Sequence, residues 1–248
     1  MKKKILALLM TSVMVLGVAA CSSSQNSTPN TDNQQEEQTE PEGTTGPISV
    51  ISREEGSGTR GAFVELMGVV DDDDNDITTV RAEITNSTSV MLTTVAGNPA
   101  AIGYVSLGSL SNDVKAVKVD GVEATTDNVK SGTYAVARPF LLAYKDGSLS
   151  DIAQDYLNFI MSADGQKIIG EEGYISVVDG EAYAVSGLSG KLVLAGSTSV
   201  APVMEVLADA YKALNPDVTI EIQQTGSGSG ITSAIEKSEA KRVLGRQP

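Results

Sequence analysis

Apolar positions fall into blocks of different period along this chain, and each block predicts a different kind of segment. Behind Lys2, Lys3 and Lys4, an apolar run extends from Ile5 to Val18 and ends at the small residues Ala19 and Ala20. A basic start, an apolar centre and a small-residue end have the layout of a secretory signal over residues 1–20. The run is too short and wrongly flanked for a stable transmembrane helix. From 21 to 46 the apolar signal disappears into Ser, Asn, Gln, Thr, Glu, Pro and Gly. Such a stretch cannot bury enough surface to fold, so a disordered tether is expected there.

Periodicity returns at Ile48. Ile48 to Ser52 reads as a strand, and Phe63, Leu66 and Met67 have helical spacing after it. Asn86-Ser87 reads as a cap ahead of a helix carrying Val90, Leu92 and Val95, which Asn98-Pro99 ends. Ala101 to Val105, Val114 to Val119 and Phe140 to Tyr144 are expected as three further strands. Ile152, Tyr156, Phe159 and Ile160 predict a helix, and Gln166 to Ile169 starts another. A low-complexity bridge, residues 179–190, precedes a fresh start. Lys191 to Ala195 predicts a strand, Val203 to Leu214 a one-sided helix stopped by Asn215-Pro216, and Val218 to Ile222 the next strand. Gly226 to Gly230 then opens one more helix. Repeated strand–turn–helix units predict an α/β fold.

Composition narrows the chemistry. The 248 residues hold no histidine, no tryptophan and one cysteine, with a formal charge of −14. Without histidine the usual general base and the commonest metal ligand are gone, so no enzyme, metal site or cofactor is expected. The acidic balance offers no patch for nucleic acid. Asp71 to Asp76 lacks the Gly and the closing Glu of an EF-hand loop and reads as a solvated turn. Cys21 cannot form an internal disulfide. Val18-Ala19-Ala20-Cys21 instead resembles a bacterial lipobox, which implies a lipidated Cys21 and a membrane anchor on the extracellular face.

Three turns share one design: a strand, a run of Gly, Ser and Thr, then a helix. They are Gly56 to Thr59, Gly196 to Ser199 and Gly226 to Gly230. The first N–H groups of a helix lack partners within it and its dipole favours an anion there, while Ser and Thr hydroxyls add donors. Arg53 precedes the first turn and has the fork geometry for an oxyanion. Each hydroxyl residue could equally be a plain helix cap. None of the three turns has the Gly-Lys-Ser/Thr of a P-loop or a dinucleotide fingerprint.

Taken together, the motifs resemble the phosphate-binding proteins of high-affinity phosphate ABC importers. Arg53-Glu54-Glu55-Gly56-Ser57-Gly58-Thr59 is similar to that family's Arg-x-x-x-Ser-Gly-Thr signature. Ala101-Ile102-Gly103-Tyr104-Val105, Tyr134 with Arg138-Pro139-Phe140, and Gln166 to Ile169 with Gly173-Tyr174 resemble later family segments. Ala195 to Pro202 and Thr225 to Ile231 resemble the two turns near the family's N-terminus. The likeness covers about 48 to 235, in an order that is circularly permuted, or that of a tandem protein entered halfway. After the third turn, where the family carries Asp-Ile-Gly-x-x-Ser-Arg, this chain runs Lys237 to Leu244 and on to Pro248. A truncated tail, lacking the aspartate that accepts a hydrogen bond from protonated phosphate, is the expectation.

The resemblance implies a two-lobed periplasmic-binding-protein-like fold of type II, permuted and with its second lobe incomplete. Residues 48–112 would form one lobe, and 113–178 with 191–248 the other. It implies inorganic phosphate as ligand, held by Arg53, Ser57, Gly58, Thr59, Thr198, Ser199 and Ser227, and the permease of an ABC importer as partner. Sulfate or another tetrahedral oxyanion is the alternative ligand. A truncated surface lipoprotein without function is the other alternative.

Overall fold

The computed structural model describes residues 46–244, with side chains through Glu236. The leader, Cys21 and nearly all of the 21–46 tether lie outside the described residues. Among the described residues no helix is long and apolar enough to cross a membrane.

Two parallel sheets form the frame. In the first, β1 (Ser49–Arg53) lies between β2 (Glu83–Thr85) and β3 (Ala101–Ile102), with Ile51 opposite Glu83 and Ser49 opposite Ala101. Helix α1 (Gly58–Leu66) follows β1, and α2 (Thr88–Gly97) follows β2. Parallel neighbours require crossovers, and the helices that supply them cover the sheet. Ile51 of β1 and Met91 of α2 are fully buried. Gly103 permits that approach, because a Cβ there would overlap Met91 Sδ.

The second sheet is a βαβ unit. β4 (Gly190–Gly196) and β5 (Val218–Gln224) pair over seven residues, and α6 (Ala201–Leu214) crosses between them. Helix α7 (Ser227–Leu244) follows β5. A short 3₁₀ turn at Leu107–Ser109 and α3 (Thr126–Lys130) lead on to α4 (Asp151–Ile160) and α5 (Ala163–Glu171). The apolar face of α4, namely Ile152, Tyr156, Phe159 and Ile160, packs on Val203, Met204, Leu207 and Tyr211 of α6 and on Val218 of β5. This is the larger core.

The 179–190 bridge is tied to this core. The hydroxyls of Tyr183, Ser186 and Tyr211 donate to Asp155 Oδ2 at 2.5, 2.7 and 2.6 Å. The Tyr183 ring stands edge-on to Phe159 at 5.2 Å. Burial alone would raise the Asp155 carboxyl, yet the three hydroxyl donors together hold it below the usual carboxylate range. Burial, then the bond to Asp155, pushes the Tyr211 hydroxyl well above its ordinary value.

Two expected strands are not formed. Val114 to Val119 is irregular apart from one bridge, Val119 to Val122, around Asp120 and Gly121, both with positive φ. Phe140 to Tyr144 has no ladder partner, and Leu141 is 83% exposed. Strand propensity reports a side chain's fit to a pleated surface, and without a neighbouring strand it produces no ladder. Ala101 to Val105 is shorter than expected for another reason. After Ile102 the chain leaves the sheet, so that Tyr104 stacks on Phe63 at 4.1 Å and its hydroxyl meets Ser52 Oγ at 2.7 Å and accepts from Arg53 N at 3.1 Å.

Candidate anion-binding site

At the C-terminal end of β1 the chain must turn sharply to begin α1. Gly56, with φ of 79°, takes the left-handed conformation this requires, and Ser57 caps the helix by accepting from Arg60 N at 3.4 Å. Arg60 in turn braces the corner. It donates to Asp76 Oδ2 at 2.6 Å and to the Arg53 carbonyl at 3.0 Å. Asp76 therefore belongs to this brace, while Asp71 accepts from Asn75 and Asp73 within its own loop. Among the described residues no group of His, Cys, Asp and Glu could hold a metal ion.

Arg53 itself is 2% exposed. Its Nε donates to Glu54 Oε2 at 2.8 Å and to the Thr85 carbonyl at 3.2 Å. Nη2 donates to Glu54 Oε1 and to Thr198 Oγ1, both at 2.9 Å, and Nη1 to Thr88 Oγ1 at 3.3 Å. A buried guanidinium is costly unless its donors are satisfied. Here one carboxylate and several neutral oxygens satisfy it.

The second turn arrives from β4. Val200 occupies the cap position of α6 and makes no side-chain cap bond, so neither Thr198 nor Ser199 is spent on capping. Their hydroxyls reach across to the first sheet instead. Ser199 Oγ lies 2.7 Å from Thr59 Oγ1 and 3.3 Å from Thr88 Oγ1, and Thr198 Oγ1 lies 3.1 Å from Thr88 Oγ1. The Tyr174 hydroxyl donates to the Ser199 carbonyl at 2.9 Å and holds the turn from behind.

The third turn closes the cluster. Gly226, φ 85°, donates its N–H to the Gly196 carbonyl at 2.9 Å, and Gly228 N donates to the Gly56 carbonyl at 3.0 Å. Gly58 faces Ser227 so closely that a Cβ at 58 would overlap the Ser227 hydroxyl and come within 3.3 Å of Arg138 Nη2. Arg138 donates to the Gly58 carbonyl.

All seven residues picked from the sequence, Arg53, Ser57, Gly58, Thr59, Thr198, Ser199 and Ser227, thus meet in one place, where the N-termini of α1, α6 and α7 gather. Only Ser57 among them does the plain capping job. Sequence reasoning missed three contributors. Glu54 was quoted only inside the motif, and Arg138 only as part of a strand entry. Thr88 was missed because its turn, Thr85-Asn86-Ser87-Thr88, carries hydroxyls but no glycine. A search for hydroxyl-rich strand–helix turns without a glycine requirement would have found it. A guanidinium, several hydroxyls and helix N-terminal amides make a donor-rich environment suited to a small oxyanion.

Residues 24–164 match the family model of the PBP superfamily domain. A phosphate-binding protein PstS 2 of Streptococcus agalactiae is 49% identical over 197 residues, covering 78% of this chain and 67% of the relative. A phosphate-binding protein PstS 2 of Streptococcus pneumoniae is 46% identical over 206 residues, 82% of this chain and 70% of that one. The crystal structure of a phosphate ABC transporter, phosphate-binding protein from Streptococcus pneumoniae TIGR4 is similar to this fold. Its TM-score is 0.62 at 47% identity, covering 78% of this chain and 76% of that one.

Proposed function

The chain belongs to the PBP superfamily and, within it, to the phosphate-binding proteins, and from that premise we propose that it captures inorganic phosphate outside the cytoplasm for an ABC importer. The observation that carries this reading is the meeting of the buried Arg53 guanidinium with hydroxyls from both sheets at several helix N-termini. Phosphate needs donors on most sides and little net charge, because each of its oxygens loses water on entry. In this reading Arg53 supplies the charge-assisted contact. Ser57, Gly58 and Thr59 supply hydroxyl and amide donors from the α1 turn, Thr198 and Ser199 from the α6 turn, and Ser227 from the α7 turn. Residues 48–112 act as one lobe, and 113–178 with 191–248 as the other, so that closure around the anion is what a permease would read.

Titration calorimetry of phosphate into the purified protein, with sulfate as control, tests this. Saturable heat with phosphate and none with sulfate is expected; equal heats would reassign the ligand to tetrahedral oxyanions in general. Folded protein that takes up neither anion would overturn the reading. Delivery to a permease calls for the protein to stay at the membrane, and lipidated Cys21 followed by the 22–46 tether provides for that. Cys21→Ser should shift the protein from the membrane fraction to the medium and abolish labelling by a palmitate analogue.

A further inference from the structure

The hydroxyls of Thr59, Thr88, Thr198 and Ser199 form one cluster beside Arg53 but are not equivalent, and the difference lies in Thr88. Thr88 is the first residue of α2, but the helix does not use its hydroxyl: Ser87 is the cap and accepts from Val90 N at 3.4 Å. The residue is nonetheless buried, 7% exposed, with its Oγ1 within 3.3 Å of Arg53 Nη1, 3.1 Å of Thr198 Oγ1 and 3.3 Å of Ser199 Oγ. The other two nitrogens of the guanidinium are held by Glu54, by Thr198 and by the backbone carbonyls of Thr85 and Asn86. Thr88 is thus the contact that orients Nη1.

We propose that Thr88 is a positioning residue for the anion site, setting which way the hydroxyl of Thr198 points its proton. This rests on the reading of the site as an anion receptor. An arginine can only donate, and a hydroxyl has one proton and two lone pairs. Thr88 Oγ1 therefore accepts from Nη1, and its one proton goes to the nearer of its two hydroxyl neighbours, Thr198 at 3.1 Å, while Ser199 pairs with Thr59 at 2.7 Å. Thr198 also accepts from Nη2. With its two lone pairs engaged, one by Nη2 and one by Thr88, the hydroxyl of Thr198 directs its proton away from Arg53. Thr88 thereby turns one ambivalent hydroxyl, that of Thr198, into a donor aimed at an incoming oxyanion. Without it, Nη1 loses its hydroxyl acceptor, and the Thr198 hydroxyl can lie in either sense.

The test is phosphate titration of the full chain and two variants, each also followed by circular dichroism on heating. Thr88→Val keeps the shape and removes the hydroxyl. It should weaken phosphate about tenfold or more, the scale of a lost hydrogen bond to a charged group, and lower the melting temperature by about a few degrees as Nη1 loses its acceptor. Thr88→Ser keeps the hydroxyl and should bind within about threefold of the parent. The double variant Thr88→Val with Thr198→Val should bind about as weakly as the poorer single one, because both act through the same proton arrangement. Should Thr88→Val unfold, Thr88→Cys, a poor hydrogen-bonding group of similar size, is held to the same tenfold loss. Unchanged affinity in the valine or cysteine variant, failure of the serine to rescue, or simple additivity with Thr198 would each overturn the proposal. Absence of phosphate binding by the unaltered protein would instead defeat the anion reading and this proposal with it.

Discussion

Among the described residues two places surround a charge with hydroxyls, a buried one at Arg53 and a half-buried one at Asp155, and they do it with opposite sign. At Asp155 three hydroxyls donate inward to a carboxylate, so their protons are consumed within the protein. At Arg53 the hydroxyls of Thr88 and Thr198 accept from a guanidinium, and with Thr88 donating to Thr198 the proton of Thr198 is left to point outward. The same side-chain chemistry therefore makes a closed staple in one place and a donor-rich receptor in the other. The staple ties the bridge to α4 and α6. The receptor joins the ends of four helices that have little else in common.

Removing the central charge should separate the two most sharply. Arg53→Met retains the aliphatic stem and removes every donor. Phosphate binding is expected to fall about a hundredfold or more, as for a lost charge-assisted contact, measured by calorimetry. Affinity within a few fold of the parent would show that Arg53 is no more than a structural arginine. The corresponding change at the staple, Asp155→Ala, should leave phosphate affinity intact but cost about 1–3 kcal/mol in a urea melt, because three hydroxyls lose their acceptor. If it weakened phosphate as strongly as stability, the two regions would not be independent.

Acid should reach the staple as well. The Asp155 carboxyl is held low in the folded protein, so its contribution is present above the unfolded value and disappears as pH falls through the folded one. Between neutrality and about pH 3 the parent should therefore lose more stability than Asp155→Asn, which cannot titrate there. Parallel stability curves for the two would remove the carboxylate from this account. The smallest effect is expected at Gly58. Gly58→Ala pushes Ser227 and Arg138 away, and should weaken phosphate by about threefold to tenfold with little change in melting temperature, since the rest of α1 is untouched. An alanine that binds as well as glycine would show that the α7 turn need not approach so closely.

Much of this arrangement was legible from the residues. β1, β4 and β5 each begin an apolar run bounded by turn residues, and α4 and α6 carry one-sided apolar spacing, so local pattern and final structure agree there. The three glycine-bearing turns were legible for the same reason, since positive φ at Gly56 and Gly226 demands the residue seen in the sequence. Val114 to Val119 and Phe140 to Tyr144 show where local pattern is insufficient. Both have strand-like composition, and neither finds a strand beside it.

The sequence by itself determined which atoms are available: an arginine just before a hydroxyl-rich turn, hydroxyls after strand ends, no histidine, and a charge of −14. It also determined where the chain turns, because turning is a local backbone property. Only the tertiary structure decided which turns meet. Thr88 and Thr198 stand 110 positions apart, and Thr59 and Ser199 stand 140 apart. Contacts at such separation follow from how two sheets and their helices pack, which no short window of residues encodes. Proton direction at those hydroxyls is decided later still, by which partner each one meets.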